Sequence, residues 1–283
     1  MRLGFLTLAL FPILGLAGSV SPGGVQSKTS YLVPSGSRIT HVGDEIHVLD
    51  PDGTTVHPTP QISSRTPISS RQEESGYIAF AFWASPDQTS NVIASFNTTW
   101  TVPPDPETSN GQLVYYFNSI NQQAGASTII QPVLQWGVSP AGGGDYWSVA
   151  SWYLFNGSEI ECFTTPVRVN AGDVLHANIE LTSTTAGTAY NYTVEFSNVP
   201  GTTLHVENAV EAYTAALETL EAYGVTSASD YPTGTTVFED IQMRMQDGSV
   251  PSLMWGIQND EADGISMVID KDGAEGGRLT LVY

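Results

Sequence analysis

The sequence predicts an all-β protein, an antiparallel sandwich of two sheets or a jelly roll. Three observations carry the prediction. Short runs alternate apolar and polar residues with period two, roughly a dozen of them. Gly, Pro and Asn clusters separate these runs. Few windows show helical spacing.

Taken in order, the chain opens on a processing signal. Arg2 precedes an apolar run from Leu3 to Leu16, and Gly15-Leu16-Ala17 is a small-x-small cleavage pattern. Residues 1–17 therefore read as a secretory signal peptide. No later segment reaches the ~20 apolar residues of a spanning helix. An exported chain is expected. The triplets Asn97-Thr98-Thr99, Asn156-Gly157-Ser158 and Asn191-Tyr192-Thr193 agree as N-glycosylation sequons.

Residues 18–75 are rich in Ser, Thr, Pro and Gly and carry Arg65 and Arg71 after paired serines. They read as a propeptide or loosely ordered leader. Within them, Asp52-Gly53 marks a hairpin turn in "EIHVLDPDGTTVH". The sandwich domain is expected over 76–283. There "VIASFNTTWTV" (92–102), "DVLHANIEL" (173–181), "AYNYTVEF" (189–196) and "VFEDIQMRM" (237–245) each alternate as half-buried strands. "STIIQPVLQWG" (127–137) sets Ile129, Gln131, Val133 and Gln135 on one face and Ile130, Leu134 and Trp136 on the other. The first face holds two carboxamides, which need partners if buried. Pro132 withholds a ladder donor, which predicts an edge or a bulge there.

One segment competes. "ENAVEAYTAALETLEAYG" (207–224) spaces Val210, Tyr213, Leu217 and Leu220 helically, and Asn208 with Glu211 suits a capping box. In a sandwich the second half reads as a strand, and a short helix over 208–214 accommodates both patterns. As a strand it puts Leu217, Thr219, Glu221 and Tyr223 on one face and Glu218 on the other.

Of the nine basic and 29 acidic residues, five and six lie in residues 1–75, leaving four and 23 for the rest. So acidic a surface is a poor partner for nucleic acid or anionic membrane. It suits work at low pH, where protonation relieves self-repulsion. Cys162 is the single cysteine, so no intrachain disulfide exists, and it reads as a buried small hydrophobe. No Gly-x-Ser-x-Gly elbow, His-Glu-x-x-His helix or phosphate loop occurs, and the histidines are too scattered for a metal site. No metal or cofactor is expected. Beyond residue 75 only His176 and His205 remain, both in alternating strands, which disfavours a histidine-based hydrolase. Carboxylates, carboxamides and aromatic rings are left. Trp147, Trp152 and Tyr153 follow Gln131 closely and are candidates for a groove wall.

At this point several segments, in order, resemble the glutamic peptidases (eqolisins). "TTWTVPP" (98–104) is similar to that family's opening strand, and "YYFNSI" to its aromatic strand. "IIQ" matches the strand of the catalytic glutamine, Trp152-Tyr153 a Trp-Tyr strand, and "VRVNAGDVLHANIELTS" a strand pair. "LETLEAYG" matches the strand of the catalytic glutamate. The resemblance implies a concanavalin A-like sandwich and an acid endopeptidase acting on polypeptide. It assigns Gln131 as oxyanion donor and either Glu221 or Glu218 as the base that activates water; the strand faces favour Glu221, which shares one with Thr219 and Tyr223, and leave Glu218 as runner-up. It also places Phe117 at a groove tryptophan, Asn121 at an aspartate and Gln135 at an acidic residue of the family. An unperturbed glutamate titrates near ~4.3, which suits such a base in acid. Two other readings stay open. One is a sandwich that binds or cleaves polysaccharide, for which Glu221 with Glu239 or Asp145 would flank the bond. The other is a non-catalytic secreted relative, favoured by the changes at Phe117, Asn121 and Gln135.

Overall fold

The computed structural model describes residues 22, 29–42, 45–56, 76–86, 91–122, 128–155, 160–185, 188–260 and 262–283. The predicted signal peptide, Arg65, Arg71 and the sequon at Asn156 lie outside the described residues. Among the described residues nineteen strands follow one another. The first four are β1 (Thr29–Val33), β2 (Ser37–Val42), β3 (Glu45–Leu49) and β4 (Thr55–Val56). Then come β5 (Tyr77–Ala84), β6 (Ile93–Thr101), β7 (Leu113–Asn121), β8 (Thr128–Ser139), β9 (Gly142–Phe155), β10 (Ile160–Thr164) and β11 (Val167–Arg168). The remainder are β12 (Val174–Thr185), β13 (Ala189–Phe196), β14 (Leu204–Ala209), β15 (Ala215–Tyr223), β16 (Thr235–Met245), β17 (Gly256–Asn259), β18 (Ser266–Lys271) and β19 (Glu275–Val282).

They form two sheets, as the alternation predicts. Sheet A runs β1-β10-β9-β8-β7-β15-β5-β17, with β11 also on β9. Sheet B runs β18-β19-β16-β6-β12-β13-β14-β2-β3-β4. The pairings are antiparallel except β1 with β10 and β2 with β14. The inner faces pack as the main core, with Trp100, Phe96, Tyr116, Trp147 and Tyr192 among its fully buried rings. Burying such aromatic area is the main stabilising term of a chain without a disulfide. Cys162 lies in this core, and burial pushes its thiol up, so it is inert as a nucleophile.

Three expectations change. Residues 29–56 are not a loose leader. β1 extends sheet A, β2 to β4 extend sheet B, and the hairpin turn at Gly53 (φ 84°) forms as read. The physical reason is partner supply: Tyr31, Val33, Ile39 and Val48 find apolar surface on the sandwich, which a composition count of a Ser/Thr-rich segment does not register. His41 is tied in as well, its Nε2 2.6 Å from the Tyr153 hydroxyl; burial lowers its pKa.

The helix over 208–214 is absent. Asn208 closes β14 in the left-handed region (φ 54°), and Tyr213 is buried with its ring 5.2 Å from that of Tyr192. Tertiary burial overrides helix propensity here. The strand at 215–223 forms as expected.

β8 is central, not an edge, and has no bulge at Pro132, which pairs with Ser151. The β7 pairing instead steps from Phe117–Val133 to Ile120–Ile130. The ladder tolerates the missing donor by skipping two stations, those of Pro132 and Gln131.

Candidate functional site

The outer face of sheet A is not a solvated polar surface. Leu113, Tyr115, Phe117, Val133, Trp152 and Phe163 form a second apolar cluster there, separate from the main core. Set into it are Gln131 and Gln135 on β8, Thr219 and Glu221 on β15, Ser148 on β9 and Glu161 on β10, all buried. A concentrated apolar surface with a few convergent polar groups is the usual makeup of a binding site.

Strand register fixes who stands beside whom. Gln131 pairs with Trp152, which pairs with Phe163. On the other side the β7–β8 register sets Ser119 level with Gln131, and Ser119 pairs with Leu217. The next row is Thr219, Phe117, Val133 and Ala150. The row after that is Glu221, Tyr115, Gln135 and Ser148. Gln131 and Glu221 thus share a face but not a row. They lie two strands apart and four residues along, about 10 Å across and about 13 Å along, roughly 16 Å in all. The register therefore does not set the two side chains side by side. The β15 residue level with Gln131 is Leu217.

Gln131 is fully buried, and its Nε2 donates to the backbone carbonyl of Pro22 at 2.9 Å. Its Oε1 has no partner among the described residues, nor have Trp152 Nε1, Thr219 Oγ1 and Ser148 Oγ. Four orphaned polar atoms on one apolar face are unusual, since buried polar groups are normally paired. A chain carrying both N–H and C=O groups would satisfy them. The Trp152 and Phe163 rings, with centroids 4.5 Å apart, wall this end of the face.

Glu221 sits among tyrosines. The Tyr223 hydroxyl donates to it, and Tyr77 and Tyr115 are its paired neighbours on β5 and β7. Burial first, and then the charge of Glu221, raise the hydroxyl pKa values of Tyr77, Tyr115 and Tyr223.

The other predicted residues divide. Glu218 faces the main core: it accepts from Thr98 Oγ1 of the opposite sheet, its Oε2 has no partner among the described residues, and burial holds its pKa well above the usual range. It is removed from the groove, as the face argument predicts. Phe117 lies on the outer face, and Asn121 ends β7 opposite Ile129 on that side. Trp147 and Tyr153 do not line the groove. They belong to the main core, because strand alternation turns only Trp152 outward.

Gln135 is on the groove face but spends its carboxamide on the β8–β9 turn. Its Nε2 donates to Gly137 O and Gly142 O, both at 2.8 Å, and its Oε1 accepts from Ser139 Oγ at 2.8 Å. Gly143 (φ 108°) is required there, since a Cβ would come within 2.4 Å of Gln135 Nε2.

The glycosidase pairs do not assemble. Glu239 is on β16 of sheet B and bonds Arg278 at 2.8 Å, and Asp145 is exposed in the β9 hairpin arm.

Sequence reasoning missed two participants. Glu161 interrupts the apolar run "IECF", and a lone acid in such a run is a readable signal; Ser30 Oγ of β1 donates to it. Pro22 contributes a main-chain carbonyl, and nothing in its residue type announces that.

No family model and no curated protein matches this chain. Among solved structures, one similar to it is a Scytalido-glutamic peptidase with a peptide-based transition-state analogue. The TM-score is 0.48 at 13% identity, over 74% of this chain and 100% of that one. Another is an alginate lyase from Klebsiella pneumoniae, with a TM-score of 0.22 at 10% identity, over 75% of this chain and 60% of that one.

Proposed function

We propose that this is an exported polypeptide-binding sandwich whose groove is the outer face of sheet A. One observation carries the reading: the buried carboxamide of Gln131 holds a peptide carbonyl, that of Pro22, at 2.9 Å. The remaining orphaned groups, Gln131 Oε1 and Trp152 Nε1 above all, offer an acceptor and a donor to the rest of an extended chain. The surrounding aromatic rings suit apolar side chains of that chain.

Hydrolysis by a Gln–Glu dyad is a second reading. It is favoured by Glu221, a buried carboxyl on the same face. It is opposed by the register, which puts Leu217 level with Gln131.

A reduced, alkylated and fluorescently labelled protein, added to the purified chain at about pH 4 near the glutamate range, separates the two. Binding is expected to weaken about tenfold in Gln131→Ala, the loss of one buried hydrogen bond, with the probe left uncut. Equal binding by the wild type and Gln131→Ala would sink the proposal. Cleavage that disappears in both Gln131→Ala and Glu221→Gln would replace it with the peptidase.

A further inference from the structure

The row that holds Gln131 runs on past the buried cluster. Through Ser119 and Leu217 it reaches Phe82 on β5 and then Gly256 on β17. Ala79, Ala81 and Trp83 of β5 belong to the main core, so Phe80 and Phe82 face outward with Gln131. Phe82 is 46% exposed, whereas Phe117, Trp152 and Phe163 on the same face are fully buried. We propose that Phe82 is the floor of a side-chain subsite of the sheet A groove, which selects polypeptides carrying an aromatic side chain about four residues from the carbonyl that Gln131 binds; this rests on the polypeptide-binding reading.

The setting of the ring makes it a platform. Gly256 is its cross-strand partner, and a Cβ there would come within 2.6 Å of the end of the Phe82 ring. The ring therefore leans over bare backbone at the edge of the sheet. It ends a line of rings along β5: its centroid is 6.2 Å from that of Phe80, which is 5.4 Å from that of Tyr77. Leu217, half-buried, flanks it on the side towards Gln131. A ring so placed gains from a second ring in offset or edge contact, beyond the area covered.

Spacing decides what reaches it. Gln131 and Phe82 lie three strands apart in one row, about 14 Å. An extended chain advances about 3.3 Å per residue, so about four residues separate the two contacts. Trp152 and Phe163 wall the opposite end of the row, so a chain held at Gln131 has its open course over Ser119 and Leu217. A sugar ring could stack on Phe82 as well, but the contact that Gln131 makes in this row is to a peptide carbonyl, that of Pro22.

Fluorescence anisotropy at about pH 4 tests this with labelled cellohexaose and two labelled Ser-Ala-Gly peptides that differ only in one central residue, Phe or Ala. The Phe peptide is expected to bind about tenfold more tightly than the Ala peptide. Phe82→Ala should abolish that difference but not the binding of the Ala peptide, which reports a folded groove, and Phe82→Trp should restore it. Gly256→Ala, which displaces the ring without removing it, should narrow the difference. Gln131→Ala should weaken both peptides. Trimmed so that Phe keeps a single neighbour on each side, the peptide cannot reach both contacts and should lose its sensitivity to Gln131→Ala. Equal binding of the two peptides by the wild type, or a difference that survives Phe82→Ala, overturns the subsite and leaves the Gln131 reading in place. Cellohexaose binding that Phe82→Ala removes, with no preference for the Phe peptide, overturns it in favour of a sugar platform. If neither peptide binds the wild type, the polypeptide-binding reading falls and the subsite with it.

Discussion

Glu218 and Gln131 show how one strand position decides a polar residue's fate. Both are fully buried, yet Gln131 faces a surface that can offer it a chain, and Glu218 faces the core. Burial keeps the Glu218 carboxyl protonated, with Thr98 as its only described hydrogen-bond partner. Its folded pKa is raised above the unfolded value. The stability it permits is fully present below the unfolded pKa, near ~4.3, and is lost as pH rises through the folded one. Each unit of upward shift is worth about 1.4 kcal/mol, or about 3–5 °C in melting temperature for a domain of this size. Glu218→Gln keeps the shape and the acceptor for Thr98 and removes the titration. Melting curves at pH 4 and pH 7.5 should show the variant unchanged in acid and more stable than wild type near neutrality. An unaltered difference between the two pH values would mean that Glu218 is not the group responsible. The sequence had this much: alternation put Glu218 on the core face. It could not supply Thr98, which lies 120 residues away on the other sheet.

At the level of elements, β15 and β8 were both legible as strands and their faces were assigned correctly from period two. Their mutual register was not legible. Register depends on how β7 bridges them, and no local pattern states that Ser119 sits level with both Gln131 and Leu217. Gln131 and Glu221 were therefore read as partners, although the sheet sets them two strands and four residues apart. Groups separated by more than about 10 Å usually act independently. A double-mutant cycle on polypeptide binding should find Gln131→Ala and Glu221→Gln additive within about 0.5 kcal/mol. A coupling energy above about 1 kcal/mol would show that the two side chains act as one unit after all. The helix read at 208–214 failed for a related reason. Its propensity was genuine, but Tyr213 is worth more buried against Tyr192 than helical on the surface.

For the molecule as a whole, the leader is the largest revision. Composition marks residues 18–75 as unable to fold alone, which is a statement about isolated segments. Within the sandwich, β1 and β2 each join a sheet in parallel, β1 on β10 and β2 on β14. Arg38 approaches Glu207 at 3.4 Å, Thr40 Oγ1 donates to Glu207 at 3.0 Å, and His41 meets Tyr153. The exposed ion pair adds little; the paired strands and buried rings do the holding. A protease cut after Arg65 or Arg71 should therefore yield two chains that stay together. Size-exclusion chromatography is expected to give one peak that splits into two bands on a denaturing gel. Separate elution of the N-terminal piece would show that its strands depend on covalent attachment.

The parallel pairing of β1 also sets a timetable for synthesis. Ser30 leaves the ribosome 131 residues before Glu161, its partner on β10. At ordinary elongation rates that is a wait of about 7–26 s. Throughout it, β1 is an unpaired strand carrying Tyr31, Leu32 and Val33, which is the kind of open edge that recruits other chains. The first strand made therefore stays open until β10 is complete, so the nascent chain must be shielded from its own beginning.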